Sequence, residues 1–432
     1  MSNSNLENSL AFFKSELFHQ VQLTGLFKDS KTFADAEMKS DWAEIEAKFA
    51  AEKNELGFEL RAFVDKHFEL PDTQELTAKV QHDSVVMQIQ ALWQVLRRPA
   101  DSDSRGSLLP LPHPYSVPGG RFREIYYWDS YFTALGLVAS GRLADVEAML
   151  SNFMSLLTRF GRVPNGNRSY YHSRSQPPIL ALMAELIDEQ ETLAGEELTE
   201  ITQALTTEYE FWMQGKDKLT QATPSCRRVV RLSDGAVLNR YWDEESGPRP
   251  ESYREDIELA TAVPEANKTE FFRHLRAACE SGWDFSSRWL AESNDLASIR
   301  TTNLVPVDLN ALLYQLETTL AVFNRRLKRH EEAERFGEWA SLRRAAIDRH
   351  LWQESHGYYF DLDWQLNRQT NIWSLAGIVP LFVGACNQGQ AESCSSILQT
   401  KFLKSGGLVT TLTSSPQQWD SPNGWAPLHW FA

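Results

Sequence analysis

Two short stretches of this 432-residue chain place arginine, aspartate and tryptophan side chains at spacings that could do chemistry on a polar ligand. The first, PGGRFREIYYWDSY, covers residues 118–131. Its two glycines allow a close backbone approach, Arg121 and Arg123 offer planar donor groups, and Trp128 sets an aromatic ring beside Asp129. Asp129 could equally begin a helix, and the arginines could form surface ion pairs. Spacing alone leaves both interpretations open.

The second stretch, QWDSPNGWAP at residues 418–427, repeats the pairing of a tryptophan with an aspartate at Trp419 and Asp420. Three further segments mix carboxylates, guanidinium groups and indoles: residues 165–178, 238–256 and 280–289. This mixture predicts a site for a neutral, polyhydroxylated ligand, because sugar C–H faces stack on aromatic rings while hydroxyls need polar partners. The chain has no HExxH, Walker, GxSxG or dinucleotide-binding motif, so those chemistries fit less well.

The polar segments connect stretches with helical periodicity, which must position them. The predicted helices cover residues 129–139, 144–160, 179–189, 199–213, 270–289, 308–328 and 331–350. Strand patterns are scarce, with short candidates at 226–232 and 357–362. Recurring helix pairs predict an all-α assembly, either an open solenoid or a toroid closed on itself. We expect residues 1–98 to form an N-terminal helical extension that braces a catalytic domain at residues 99–432.

Charge and composition limit the classes of binding partner that we expect. The net charge of -15 would repel both nucleic acid and anionic lipid surfaces, so neither is an expected partner. The first residues do not resemble a secretory signal, and no apolar run approaches the length of a membrane span. The four cysteines are scattered without metal-ligand spacing. These features predict a cytoplasmic monomer without a metal or a cofactor.

The two tryptophan-rich stretches resemble the two signature motifs of the trehalase family of glycoside hydrolases, and the similarity extends from about residue 112 to the end of the chain. The resemblance implies a six-hairpin α/α toroid and inverting hydrolysis of α,α-trehalose to two glucose molecules. It also implies that Asp284 is the general acid, which needs a second carboxylate opposite it to activate water. The substrate-binding residues predicted in this way, together with the aromatic–carboxylate pair of the second stretch, are Arg121, Trp128, Asp129, Asn165, Arg174, Ser175, Gln176, Arg249, Pro250, Glu251, Gly282, Trp419 and Asp420.

The chain departs from the family pattern after the second stretch. Trehalases carry their general base, a glutamate, in a glycine-rich loop downstream, whereas here only residues 428–432 follow. We therefore expect a toroid that is incomplete at its C-terminus, lacks its final helices and has little or no activity. Asp129, Glu251 and Asp420 are conceivable substitutes for the base. The alternatives are a trehalose-binding remnant without turnover, a toroidal glycosidase for another glucoside, and a purely structural helical scaffold.

Overall fold

The computed structural model of the chain describes residues 3–71, 82, 84–102 and 104–432. Helices dominate these residues. They are α1 (Asn3–Phe13), α2 (Glu16–Leu23), α3 (Ser30–Ala34), α4 (Trp42–Glu52), α5 (Leu60–His67), α6 (Val85–Leu96), α7 (Asp129–Ala139), α8 (Leu143–Phe160), α9 (Leu180–Gln190), α10 (Gly195–Trp212), α11 (Tyr253–Leu259), α12 (Lys268–Glu280), α13 (Val307–Arg326), α14 (His330–His350), α15 (Val379–Phe382), α16 (Gln388–Ile397) and α17 (Ala426–Phe431). None of them is long and apolar enough to cross a membrane in the part of the chain that the structure describes.

The strands are short and form small antiparallel sheets between the helices. They are β1 (Glu37–Met38), β2 (Phe68–Glu69), β3 (Arg97–Arg98), β4 (Tyr115–Ser116), β5 (Ser225–Cys226), β6 (Val229–Arg231), β7 (Val237–Asn239), β8 (Leu304–Val305), β9 (Trp352–Gln353), β10 (Tyr358–Tyr359), β11 (Leu362–Asp363), β12 (Arg368–Gln369), β13 (Leu403–Lys404) and β14 (Gly407–Leu408). Two of the sheets have three strands, in the orders β5-β6-β7 and β12-β11-β8, and the others have two. The strands predicted at 226–232 and 357–362 fall within these sheets.

Most predicted helices are present with ends shifted by a few residues, and the largest difference is at α12. The sequence predicts a helix over 270–289, but α12 ends at Glu280. The cause is Gly282, which adopts the left-handed conformation with a φ of 77°. The chain therefore leaves the helix before Asp284, and this aspartate lies in a loop. Within the predicted N-terminal helical extension, α6 is a helix, yet none of its residues is buried.

Contacts divide the chain into two compact units. The first comprises Met1–Tyr126, Pro164–Ser173 and Ser246–Phe272. Its core is a cluster of buried aromatic rings around Phe12, whose ring centroid lies 5.1 Å from that of Phe18 and 5.3 Å from that of Trp42. The predicted N-terminal extension, residues 1–98, therefore lies inside a larger unit, and its boundary at residue 98 does not coincide with the boundary of that unit.

A buried ionic cluster also holds the first unit together. Glu124 Oε1 accepts hydrogen bonds from Lys31 Nζ at 2.7 Å and from Arg168 Nε at 2.8 Å, and Tyr126 donates to its other oxygen. Burial alone would raise the pKa of Glu124, but the charges of Arg168 and Lys31 lower it to about 2. Lys31 and Tyr170 both contact Asp35 as well. The opposite charges of the cluster compensate one another. A single buried carboxylate without such partners would be strongly destabilising.

The second unit comprises Tyr127–Val163, Arg174–Glu245 and Arg273–Ala432. Its central helix is α13, and the apolar stripe that the sequence predicts along this helix is buried: Leu309, Leu312, Leu313, Leu316, Leu320 and Phe323. Helix α14 packs against α13, and Arg343 on α14 pairs with Glu317 on α13 at 2.9 Å. The loops that carry Asp284 and residues 418–427 belong to this unit.

Candidate active site

Asp284 follows α12 in a loop that is packed against the indole ring of Trp128. A Cβ atom built on Gly282 would lie 2.8 Å from Cε2 of Trp128, which is closer than van der Waals contact allows. Together with the positive φ at this residue, the contact explains why glycine is required there. Asp284 itself is partly exposed. The predicted contacts Trp128 and Gly282 therefore do lie beside the predicted acid.

Residues 418–420 of the second tryptophan-rich stretch hold the loop of Asp284 in place. Gln418 Nε2 donates to the backbone oxygen of Asp284 at 2.5 Å, and the Trp419 amide donates to the backbone oxygen of Phe285 at 3.1 Å. Two sequence segments that are far apart in the chain are therefore joined by hydrogen bonds at the predicted acid. These bonds place the second tryptophan-rich stretch beside the loop of Asp284.

Asp420 makes the densest set of contacts in this region. Its carboxylate is buried and accepts hydrogen bonds from five donors: Ser286 Oγ at 2.8 Å, Ser287 N at 2.8 Å, Ser287 Oγ at 2.9 Å, Thr411 Oγ1 at 2.9 Å and Ser415 Oγ at 2.5 Å. A buried carboxylate is stable when its oxygens are bonded in this way. Both oxygens are engaged by the protein, and the donors include the two residues that follow Phe285. We therefore propose that Asp420 positions the loop of Asp284 and does not contact the substrate.

Asp129 is the second carboxyl group near Asp284. It is the first residue of α7 and is partly exposed. Burial and the neighbouring negative charge of Asp284 raise the pKa of Asp129 to about 6. Two carboxyl groups that influence each other's ionisation are typical of sites that transfer protons, although structural pairs also occur. The family resemblance implies that Asp129 contacts the sugar. The structure adds that the negative charge of Asp284 raises the pKa of Asp129.

Indole rings surround the loop of Asp284. The ring centroid of Trp419 lies 5.9 Å from that of Trp128, 5.4 Å from that of Trp283 and 4.4 Å from that of Trp425, and the last two pairs are stacked. The guanidinium carbon of Arg288 lies 4.7 Å from the centroid of Trp283. These buried and mutually stacked rings form a rigid aromatic support for the loop of Asp284.

The segment from Arg174 to Gln176 is fixed to the same part of the second unit. Gln176 Oε1 accepts from the Trp128 amide at 3.1 Å, and the Ser175 amide donates to Glu280 Oε1 at 2.8 Å. The Arg174 guanidinium is buried, with Nη1 3.4 Å from Asp243 Oδ2. The three predicted contacts in this segment therefore lie near Trp128 and the end of α12.

Glu280 and Asp243 hold this region together, and the sequence analysis assigned neither of them a role. Glu280 also accepts from the Trp242 amide at 2.7 Å and from Arg228 Nη2 at 2.6 Å, and it is buried. Glu280 lies in the segment 280–289, which the sequence analysis identified as rich in polar and aromatic residues. The helix pattern does not predict that its carboxylate binds the two separate loops of Ser175 and Trp242. Only the tertiary contacts show this.

The other predicted contacts belong to the first unit. Arg249 is buried and forms a bidentate salt bridge with Asp256 through Nε and Nη2. Arg121 Nη2 pairs with Asp29 at 2.7 Å and is half-exposed. Pro250 and Glu251 form a 3₁₀ turn, and the Asn165 side chain is buried. Within the described residues, no group of three or more His, Cys, Asp or Glu side chains could hold a metal ion.

Known proteins resemble this chain over nearly its whole length. A family model described as "Trehalase" matches residues 25–432. The chain is 48% identical over 417 residues to a periplasmic trehalase from Salmonella agona strain SL483 and 47% identical to one from Citrobacter koseri. In both cases the match covers 96% of this chain and 73% of the relative.

Solved structures agree on the fold. The neutral trehalase Nth1 from Saccharomyces cerevisiae matches with a TM-score of 0.62 and 27% identity, over 74% of this chain and 62% of the yeast chain. The chain therefore spans less than two thirds of that protein. A GH63 mannosylglycerate hydrolase from Thermus thermophilus matches with a TM-score of 0.52 and 18% identity, over 81% and 86% of the two chains, which concerns the fold alone. The predicted fold class, an all-α protein of the α/α toroid type, is confirmed.

The predicted cytoplasmic location is wrong. The relatives at 47–48% identity are named as periplasmic proteins, which contradicts it. The prediction rested on the first residues and on scattered cysteines. Four cysteines without a disulfide bond are compatible with either compartment, so they carried no information about location.

Proposed function

This chain belongs to the trehalase family of glycoside hydrolases, and from that premise we propose that it hydrolyses α,α-trehalose to two glucose molecules with inversion at one anomeric carbon. Asp284 is the general acid of the proposed reaction. The family resemblance names Asp284 for this role, and the observation that supports the proposal is its loop, which is fixed by Gln418, Trp419 and Asp420 and packed against Trp128. We also propose a periplasmic location, following the named relatives.

The proposed reaction is a single displacement. Asp284 donates its proton to the glycosidic oxygen, so that one glucose leaves as a neutral alcohol. A water molecule attacks the anomeric carbon from the opposite face after losing a proton to a general base, a carboxylate that in inverting enzymes lies roughly 6.5–9.5 Å from the acid. We assign no residue to the base, and the little or no activity expected from the sequence stays a prediction that an assay of glucose release tests. Positive charge develops on the sugar ring in the transition state, and a nearby carboxylate would stabilise it. Asp129, whose pKa is raised by the charge of Asp284, is a candidate for this role.

Substrate binding combines stacking with hydrogen bonds. The resemblance names Trp128, Gln176 and Arg174 as substrate contacts, and the last two offer planar polar groups. The Trp419 indole is stacked on Trp283 and on Trp425, so it supports the site without offering a free face to the sugar. The resemblance adds Ser175 and Gly282 on the same unit. The resemblance also names Arg121, Asn165, Arg249, Pro250 and Glu251, which belong to the first unit, and their role stays a prediction. Each planar guanidinium can satisfy several hydroxyls of a neutral sugar.

The stereochemistry of the products tests the proposal. Hydrolysis of trehalose with inversion releases one α-glucose and one β-glucose, whereas retention releases two α-glucose molecules. Proton NMR recorded before the anomers equilibrate distinguishes these outcomes, and we expect equal amounts of the two anomers. An excess of α-glucose would contradict the single displacement. Trehalose binding without any glucose release would contradict hydrolysis and favour a binding protein, and a panel of other glucosides tests the specificity.

A further inference from the structure

The loop that carries Asp284 is closed by a hydrogen bond between its two ends. The indole nitrogen of Trp289 donates to the backbone oxygen of Trp283 at 3.0 Å, so residues 284–288 lie in a loop with joined ends. Both tryptophans are buried. Asp284 directly follows Trp283 in the chain, and any group that holds these two tryptophans therefore also restrains the backbone of Asp284.

The side chain of Arg288 contacts both tryptophans. Its guanidinium carbon lies 4.7 Å from the ring centroid of Trp283 and 4.4 Å from that of Trp289. Arg288 is itself buried, and the attraction between a guanidinium and an indole is stronger when water is excluded. This one side chain therefore holds both ends of the loop.

Two buried carboxylates fix the guanidinium group of Arg288. It donates to Asp308 from Nη1 at 2.8 Å and from Nη2 at 2.7 Å. It also donates to Asp361 from Nε at 2.7 Å and from Nη2 at 2.9 Å. Asp308 lies in the first turn of α13, and Asp361 accepts from the amide of Val307, the first residue of that helix, at 2.9 Å. The two bidentate pairs set the plane of the guanidinium and attach the loop of Asp284 to the start of α13.

Arg288 and Asp420 hold different parts of the loop. Asp420 bonds residues 286–287, whereas Arg288 contacts the tryptophans at the ends. We propose that Arg288 is a positioning residue, which keeps the carboxyl group of Asp284 at the distance from the glycosidic oxygen that proton transfer requires. The proposal rests on the function proposed above. A proton donor must lie within hydrogen-bond reach of the atom that it protonates, so a displaced loop would impair this step in particular.

A buried ion pair can also be purely structural, and two substrates distinguish these roles. Trehalose needs a proton on its leaving oxygen, whereas α-glucosyl fluoride releases fluoride without one. Loss of structure alone lowers the hydrolysis of both substrates equally, because it removes active protein. A displaced acid lowers the hydrolysis of trehalose more than that of the fluoride.

The test variant is Arg288→Lys, which keeps the positive charge and removes the planar fork. The matched control is Arg343→Lys, because Arg343 is also buried, forms a bidentate pair with Glu317 on α13, and lies outside the loop of Asp284. Both are assayed where circular dichroism shows them folded. If Arg288→Lys does not fold, Asp361→Asn, which leaves the pair with Asp308 intact, takes its place.

We expect the ratio of kcat/KM for trehalose to kcat/KM for α-glucosyl fluoride to fall about 10-fold to 100-fold in Arg288→Lys, and in the same direction in Asp361→Asn. The ratio should be unchanged in Arg343→Lys. An equal fall with both substrates, or the same change of ratio in Arg343→Lys, would overturn the proposal.

Hydrogen exchange of the Trp289 indole N–H tests the closure of the loop without any turnover. Its NMR signal is assigned with the variant Trp289→Phe. Exchange should be about tenfold faster in Arg288→Lys than in Arg343→Lys, the change expected when local opening becomes easier by roughly one hydrogen bond. Equal rates in the two variants would overturn the proposal. If the unaltered chain cleaves neither substrate, the proposed function fails, and the exchange rate still decides whether Arg288 holds the loop.

Discussion

The variant Asp420→Asn tests whether this carboxylate positions the loop of Asp284. The amide keeps the size of the side chain but replaces one acceptor oxygen with a donor. Ser287 N cannot rotate away, so the amide oxygen should face it, and the amide nitrogen should face the hydroxyls that bond the other oxygen. Hydroxyls can rotate to accept, but two amide hydrogens cannot serve three hydroxyl groups.

The expected cost follows from that count. One buried hydroxyl loses its partner, which costs about 1–3 kcal/mol, and the remaining bonds lose the contribution of the negative charge. We expect the free energy of unfolding to fall by about 2–4 kcal/mol in urea titrations. The matched control is Asp217→Asn, because Asp217 is exposed and outside this network. The control should unfold within about 0.5 kcal/mol of the unaltered chain.

If Asp420 had only a structural role, the substitution would lower the stability alone. A positioning role predicts that it also lowers the rate of the reaction. Under conditions in which Asp420→Asn is fully folded, kcat for trehalose should fall about 10-fold to 100-fold, because a catalytic group displaced by about 1 Å loses that much. KM should change less, since Asp420 does not contact the substrate in this account. A variant with the stability of the Asp217→Asn control and the kcat of the unaltered chain would refute the reasoning.

Three other predictions follow from the second unit. Gly282→Ala should lower the free energy of unfolding by about 2–4 kcal/mol, because a Cβ would strike Trp128 and the residue has a positive φ; unchanged urea unfolding would contradict this. Asp284→Asn should lower the pKa of Asp129 from about 6 by removing a neighbouring negative charge, as measured by carbon NMR of the carboxyl group, and an unchanged pKa would show that burial alone raises it. Burial raises the pKa of Glu208 from 4.5 to about 8, so the folded state binds a proton that the unfolded state releases, and stability is lost as pH rises through that range. As the pH rises from 4.5 to 8, the free energy of unfolding of Glu208→Gln should therefore increase relative to that of the unaltered chain. A difference between the two free energies that does not change with pH would exclude this linkage.

The sequence was informative where a local pattern decides the structure. Helix α7 spans the predicted residues 129–139, because the apolar spacing and an aspartate at its start are local features. Helix α12 was predicted too long, since the periodicity continues past Gly282 and does not show that this residue has a positive φ. Helix α6 lies within the predicted helical extension, but the pattern did not indicate its exposure, which depends on what packs against it.

The role of a carboxylate was harder to predict than its presence. Asp420 beside Trp419 has the appearance of a sugar contact, yet its five donors come from residues 286–287, 411 and 415, which only the fold brings together. Glu280 is similar, since its partners lie on two loops far from it in sequence. By contrast, Trp128 and Gly282, which the family resemblance groups with Asp284, lie against each other in the structure, and their role in substrate binding stays a prediction.

The role of Asp284 as general acid is tested most directly by comparing two substrates on the variant Asp284→Asn. Trehalose needs a proton on its leaving oxygen, whereas α-glucosyl fluoride releases fluoride without one. We predict that the variant loses trehalose hydrolysis by about 10²-fold to 10⁴-fold while hydrolysis of α-glucosyl fluoride falls far less. An equal loss for both substrates, or retention of trehalose hydrolysis, would contradict the assignment.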